Sequence, residues 1–579
     1  MKPPPPLCVF RADRPTFLRN HTLLPDVDMF RSRRFRLFRI PGHAPTAAVR
    51  LACCLAAIAA TACERQPRMQ FRVSVPASVV AEPITGRVYV MISRTNEREP
   101  RQQVGRTGVP FFGHDVEQLA PGASGVIDRA ELGFPVDDMA DLPAGDYFVQ
   151  GFVNRYSEFR RADGHVVWMH DDQWEGQNWR ASPGNLYSDV QQVHLDPATG
   201  WDVELTASNN IPPIAIPADD EWVQRFRFQS PMLSKFWGRP VQLGATILLP
   251  RGYAGDTTHY PVLYQQGHFS IAPPLGFREA SDIKADWVRD DFPHMLVVTF
   301  QHPNPYFDDS YAVNSANVGP YGDALLQELI PEIERRYRVI AEPHARWLAG
   351  GSTGGWEALA LQIFHPDFFG GTWAYCPDPV TFTNVEGYNI YEDENAYERT
   401  RDWITVPIPN SRETDGRLRT TSRQRNYYEL VSGTRGRSTE QQDIWQAVYG
   451  PLGDDGYFKP LYDKRTGRID REVAEYWRVN YDLLEHLKRN RTTLGPKLID
   501  KLHIYTGTMD TYYLDVAVRE MEAWMKTTEN PHYEAYFDYG LYRPHCYSGT
   551  ASTAQRLREI ATYGRSHGPN GWTSPWWKR

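Results

Sequence analysis

A chain of 579 residues is too long for one small domain, and its 41% hydrophobic and 23% charged content excludes a disordered or fibrous protein. The net charge is −8; residues 1–62 carry 10 Lys+Arg against 3 Asp+Glu, which leaves −15 on the rest. Such an acidic body argues against nucleic acid or an anionic membrane surface as a partner.

The chain opens with the pattern of a targeting segment. Arg31, Arg33, Arg34, Arg36, Arg39 and Arg50 precede a short apolar run, 51–62, that is too short to span a bilayer. Ala60-Thr61-Ala62 fits a small-residue cleavage site. Cys63 directly follows it, as a lipid-accepting cysteine would in a bacterial lipoprotein signal. The expectation is an exported protein, periplasmic, in the cell envelope or secreted, with residues 1–63 as leader and Cys63 as candidate lipid anchor. The bland alternative is a basic tail without structure. Cys8, Cys53 and Cys54 fall in the leader, leaving Cys376 and Cys546 in the body. No CxxC or Cys/His spacing suggests zinc, so no metal or other cofactor is expected.

Residues 68–208 alternate with period two, at 70–75, 86–93, 147–153 and 201–205, with no long helical pattern between them. This predicts an all-β, sandwich-like domain. Trp168, Trp174 and Trp179 suit a sugar-stacking face less well than a core or interface, and His170-Asp171-Asp172 reads as a solvated loop rather than a calcium site. The proline-rich stretch 211–217 is a natural boundary. From 218 to 579 strands alternate with helices, which predicts a doubly wound α/β sheet. Strands are expected at 223–229, 241–249, 262–266, 295–300, 371–376, 502–506 and 533–539, and an amphipathic helix at 324–337. Residues 384–500 are Arg-rich and break the rhythm. They are expected to form a lid-like insertion with helices at 440–449 and 471–488.

The stretch that organises this half is Gly350-Gly351-Ser352-Thr353-Gly354-Gly355. It carries Gly-x-Ser-x-Gly between a buried strand pattern, 346–349, and a helical one, 356–362, the context of a nucleophile elbow. A serine hydroxyl becomes nucleophilic only beside a base, and the base needs an orienting acid. In the chain order Ser, acid, His, Asp510 follows one late strand and His545 the next, so Ser352, Asp510 and His545 are the candidate catalytic residues. Asp515 and Asp378 are rivals for the acid. His532, His567 and His503 fit strand-end placement less well than His545. The oxyanion of an acyl-transfer intermediate needs two N–H donors, expected from the backbones of Thr353 and of His268, or else Phe269, in the loop after 262–266. Cys376 and Cys546 should meet at the same sheet edge, and a disulfide between them is expected to fix the histidine loop.

With these residues placed, residues 220–579 resemble the putative-esterase family of α/β-hydrolases, which includes esterase D, feruloyl, acetylxylan and enterochelin esterases and mycobacterial mycolyltransferases. The matching features are Tyr260-Pro261-Val262-Leu263-Tyr264, the Gly350 to Gly355 elbow, the acid loop from Gly507 to Asp510, and the His545 loop. The resemblance implies a metal-independent serine esterase that passes through an acyl-enzyme on a small-molecule or glycan-linked ester. It does not cover 68–208, and the 384–500 insertion departs from compact members. The alternatives are an acyltransferase or peptidase on the same triad, or a non-catalytic binding protein.

Overall fold

A computed structural model describes residues 67–255, 257–279 and 281–569. The leader, with Cys63, lies outside the described residues.

Residues 69–210 hold strands and short 3-10 turns with no α-helix. Nine of these strands form one sheet, whose middle is the antiparallel pair Ile84–Ser93 and Gly145–Arg155. Ile84–Ser93 is buried along its whole length, so both of its faces are covered. Val88, Val90 and Ile92 point into a core shared with Val73 and Leu205. Tyr89 and Met91, on the opposite face, enter the core of the following α/β part. Trp179 stacks on Tyr89 at 4.5 Å and is a core residue. His170 is buried between Asn154 and Glu175, and Asp171 pairs with Arg239 at 2.5 Å. The cluster is therefore a hydrogen-bonded, largely buried one and not the solvated loop expected, with Asp172 accepting from the Trp174 and Gln177 N–H groups.

After an irregular connector the second sheet begins. Its strands are β1 (Val223–Gln229), β2 (Gln242–Leu248), β3 (Val262–Gln266), β4 (Leu296–Gln301), β5 (Arg346–Gly351), β6 (Gly371–Tyr375), β7 (Leu502–Gly507) and β8 (Tyr536–Gly540). They lie in the order 1-2-4-3-5-6-7-8. β1 and β2 are antiparallel, and from β4 to β8 each neighbouring pair runs parallel. The central strands are continuous apolar runs because helices cover both faces, and parallel strands need such cover. Helices α1 (Thr353–Phe364), α2 (Ser422–Ser432), α3 (Gln441–Tyr449), α4 (Leu514–Met525) and α5 (Thr553–His567) are the ones that bear on the site. The helix expected at 324–337 runs from Tyr321 to Arg336, but Leu325–Leu329 is wound as a π-turn. Pro331 lacks an N–H and crowds the carbonyl four residues earlier, which widens the turn before it.

Residues between β6 and β7 form two short hairpins and several helices. The helical stretch expected at 471–488 is broken at Tyr481-Asp482, where the Asp482 side chain caps the second helix by accepting from the Glu485 N–H. The insertion is bound to the first sheet. Arg87 pairs with Asp115 at 2.7 Å and donates to the Val431 carbonyl at 3.1 Å, and Arg437 reaches the same Asp115 at 2.9 Å. Tyr89 donates to the Ser432 carbonyl. Among the described residues, no helix is long and apolar enough to cross a membrane.

Candidate active site

Ser352 sits between β5 and α1 with φ 57° and ψ −123°, a conformation that costs strain for a residue with a side chain. The flanking glycines make the turn sterically feasible. A Cβ on Gly350 would fall 2.2 Å from the Gly354 carbonyl, and one on Gly354 would fall 2.2 Å from the Gln266 carbonyl. Gly354 thus brings the start of α1 against the end of β3, where Gly267 and His268 leave the sheet. Thr353 is the first residue of α1 and fully buried, so its N–H belongs to the unpaired N-terminal turn of a helix.

Asp510 and His545 follow β7 and β8. Gly507 ends β7 against the Arg543 and Pro544 carbonyls, and the Met509 N–H donates to the Arg543 carbonyl at 3.1 Å. These contacts join the acid and histidine loops. Asp510 is fully buried; its Oδ1 accepts from the Tyr512 and Leu514 N–H groups at 2.9 and 3.3 Å. Its Oδ2 lies 2.8 Å from His545 Nδ1, and His545 Nε2 lies 2.9 Å from Ser352 Oγ. The three side chains singled out from sequence therefore make one hydrogen-bonded line, across 193 residues of chain between serine and histidine. The edge of the Tyr512 ring covers the imidazole at 5.0 Å. Burial alone would disfavour the imidazolium of His545, but hydrogen bonds to Asp510 and Cys546 outweigh it and raise its proton affinity above that of an ordinary histidine.

The rivals fall elsewhere. Asp515 pairs with Arg412 at 3.0 Å. His503 lies within β7 and stacks on Trp373 at 4.6 Å; His532 and His567 bond to the backbone carbonyls of Thr528 and Tyr563. Asp378 stands on the serine side rather than behind the histidine. Its Oδ1 is 3.4 Å from Ser352 Oγ, and its Oδ2 accepts from Tyr311 at 2.6 Å and Thr353 Oγ1 at 3.1 Å. Burial raises the proton affinity of this carboxyl.

The His268 side chain is held by Asp308 at 3.0 Å and Asp309 at 3.1 Å. Desolvation opposes its charge, but the two carboxylates outweigh it and raise its proton affinity above that of an ordinary histidine. Its neighbour Phe269 packs edge-on against Trp174 at 5.2 Å, so a loop of the all-β part buttresses this loop. The expected bridge between Cys376 and Cys546 is not formed: both are free thiols. Each is held at positive φ by a tight loop end, and their sulfurs stop within 4.8 Å of each other.

Sequence reasoning missed the grip of the insertion on these loops. Arg412 Nε donates to the Asp510 carbonyl at 2.9 Å, and its N–H donates to the Thr511 carbonyl at 2.8 Å. From α3, Gln441 and Trp445 both donate to the Tyr311 hydroxyl, Trp445 at 2.5 Å. Arg106, from a loop of the all-β part, pairs with Glu440 at 3.1 Å. An Arg-rich insertion was the sole sequence signal for any of this.

The family resemblance read from the sequence holds. Residues 240–426 match the sequence model of the putative esterase family. Among solved structures, the chain is similar to a ferulic acid esterase at 18% identity and TM-score 0.36, over 60% of this chain and 98% of that one. It is similar to a Staphylococcus aureus fluorophosphonate-binding serine hydrolase at 16% and 0.32, over 59% and 98%. It is also similar to an Anaeromyces mucronatus ferulic acid esterase at 15% and 0.28, over 61% and 96%. No curated protein sequence matches the chain.

Proposed function

We propose, from the putative-esterase match of residues 240–426 and the line from Ser352 through His545 to Asp510, that the protein is a serine carboxylic ester hydrolase. The observation that carries this reading is His545, 2.9 Å from a serine hydroxyl and 2.8 Å from a buried carboxylate. Asp510 accepts a hydrogen bond from Nδ1–H, which leaves Nε2 as the base that takes the proton of Ser352. Ser352 attacks the ester carbonyl, and the N–H groups of Thr353 and His268 hold the oxyanion. The imidazolium, stabilised by Asp510, returns its proton to the departing alcohol. Water then releases the acyl group by the same steps. We read the second sheet as an α/β-hydrolase fold, the first as a sandwich-like domain that props it, and residues 384–500 as its lid. The acyl donor is a small-molecule or glycan-linked ester. The leader composition supports export, with Cys63 as lipid anchor.

The test is hydrolysis of aryl acetate and feruloyl esters by the wild type and by Ser352→Ala, with and without an added alcohol acceptor. Turnover that disappears in the variant supports the reading. Product that goes mainly to the added alcohol favours an acyltransferase instead. A folded wild type that turns over none of these esters contradicts the proposal.

A further inference from the structure

The mechanism above uses neither cysteine, yet both stand at its edge. Cys546 follows His545 directly and is exposed, whereas Cys376 directly follows β6 and is fully buried. The two sulfurs and a ring nitrogen of His545 all lie within 4.8 Å of one another. A cavity of about 280 Å³ behind the elbow is lined by Cys376, Cys546, Gly350, Gly351 and Arg556, which gives a small solute access to the sulfurs. An exposed thiol beside an acidic hydrogen-bond network, with a second thiol within 4.8 Å behind it, is the arrangement of an oxidation-sensitive pair.

We propose that Cys546 and Cys376 form an oxidation site for peroxide, and that its oxidation switches off the histidine loop. The Cys546 sulfur attacks the peroxide O–O bond and becomes a sulfenic acid as one water leaves. The Cys376 thiol then displaces the sulfenic hydroxyl, forming the disulfide and a second water. The sulfur pair loses two electrons and the peroxide gains them; a dithiol returns them. Two features favour Cys546 as the attacking sulfur. Hydrogen bonds from Cys376 and His545 pull its thiol down to about 5, while burial pushes Cys376 well up. Closing sulfurs that now lie within 4.8 Å of each other to a bond of about 2.05 Å draws the histidine loop toward Cys376. His545 is bound to Ser352 and Asp510 at 2.9 and 2.8 Å, and such a geometry loses rate steeply when displaced.

This inference rests on the esterase reading only for its functional consequence. The experiment treats the full chain with hydrogen peroxide, maps peptides by mass, and follows fluorophosphonate labelling before and after dithiothreitol. We expect a linked peptide containing Cys376 and Cys546 and a fall in labelling of roughly tenfold or more that dithiothreitol reverses. In Cys376→Ser, a sulfenic acid trapped by dimedone should appear at Cys546. Failure to find either the linked peptide or the trapped sulfenic acid overturns the oxidation site. A linked peptide with unchanged labelling overturns the switch. If reduced wild type never labels, the esterase reading is at fault, and the peptide map still decides the oxidation site.

Discussion

The second sheet and the insertion of residues 384–500 contribute to the site in opposite ways. The sheet brings Ser352, Asp510 and His545 to the ends of β5, β7 and β8, where parallel strands converge on one edge. The insertion holds these loops from outside, through Arg412 on the acid loop and through Gln441 and Trp445 on Tyr311. Tyr311 in turn bonds Asp378 at 2.6 Å, 3.4 Å from the serine oxygen. On this account the chemistry belongs to strand ends, and its rigidity comes from a segment outside the strand-helix alternation of the sheet. Changes in the first region should remove rate, and loss of the insertion's contacts to the site loops should lower rate and stability together.

Among changes that spare the serine and the histidine, the largest effect should come from Asp510→Asn. It keeps the volume but removes the acceptor that fixes the histidine tautomer, and kcat/KM should fall by about 10⁴. The pH profile adds a sign. His545 has its proton affinity raised, so free base appears only as pH climbs past the ordinary histidine value of about 6.5, and the acid limb of kcat/KM should lie above it. In Asp510→Asn the limb should move down; an unmoved limb would show that Asp510 does not hold the imidazolium.

Arg412→Ala should cost less rate, roughly 10–100-fold in kcat, because the acid loop loses its anchor while the triad side chains remain. Arg412 also leaves the nearly buried Asp515 with a single longer contact to Arg519 at 3.4 Å, so unfolding free energy should drop by about 3 kcal/mol. Denaturant midpoints measured beside kcat check both halves. Loss of rate with unchanged stability would detach the insertion from its proposed role.

These two regions also differ in how plainly the sequence announces them. The elbow was legible because Gly350 and Gly354 occupy positions where any side chain would collide with backbone. Asp510 and His545 were legible because each follows an apolar strand in the expected chain order. Asp378 was visible as a rival acid, but nothing in its neighbours told which face of the serine it would meet. Arg412 meets Asp510 across 98 residues, and Gln441 meets Tyr311 across 130, so neither contact leaves a local trace. The alternation of 86–93 revealed a strand but not that Tyr89 and Met91 would complete the core of the other sheet. The contact of two thiols was foreseen at Cys376 and Cys546, and their bond was not realised.

The smallest effect on catalysis should come from Glu386→Gln, yet it should be clear in stability. Glu386 is buried in the insertion beneath Gln442 and Asn410. Burial first, and then the charge of Asp378, raise its carboxyl to about 8 from 4.5. The folded state therefore keeps a proton that the unfolded chain has already lost, so its stabilising contribution declines as pH rises from about 4.5 to about 8. Glutamine removes that decline. Between pH 5 and pH 9 the variant should lose less stability than the wild type, by a few kcal/mol in order of magnitude, in urea unfolding. Parallel curves would mean that Glu386 is not held protonated.

The central claim is that His545 activates Ser352. The measurement that tests it most directly is mapping of a fluorophosphonate adduct on the reduced wild type, with Ser352→Ala and His545→Ala alongside. The account predicts one adduct, on the peptide containing Ser352, absent from Ser352→Ala and nearly absent from His545→Ala. An adduct on another residue, or undiminished labelling of Ser352 in a folded His545→Ala, would contradict it.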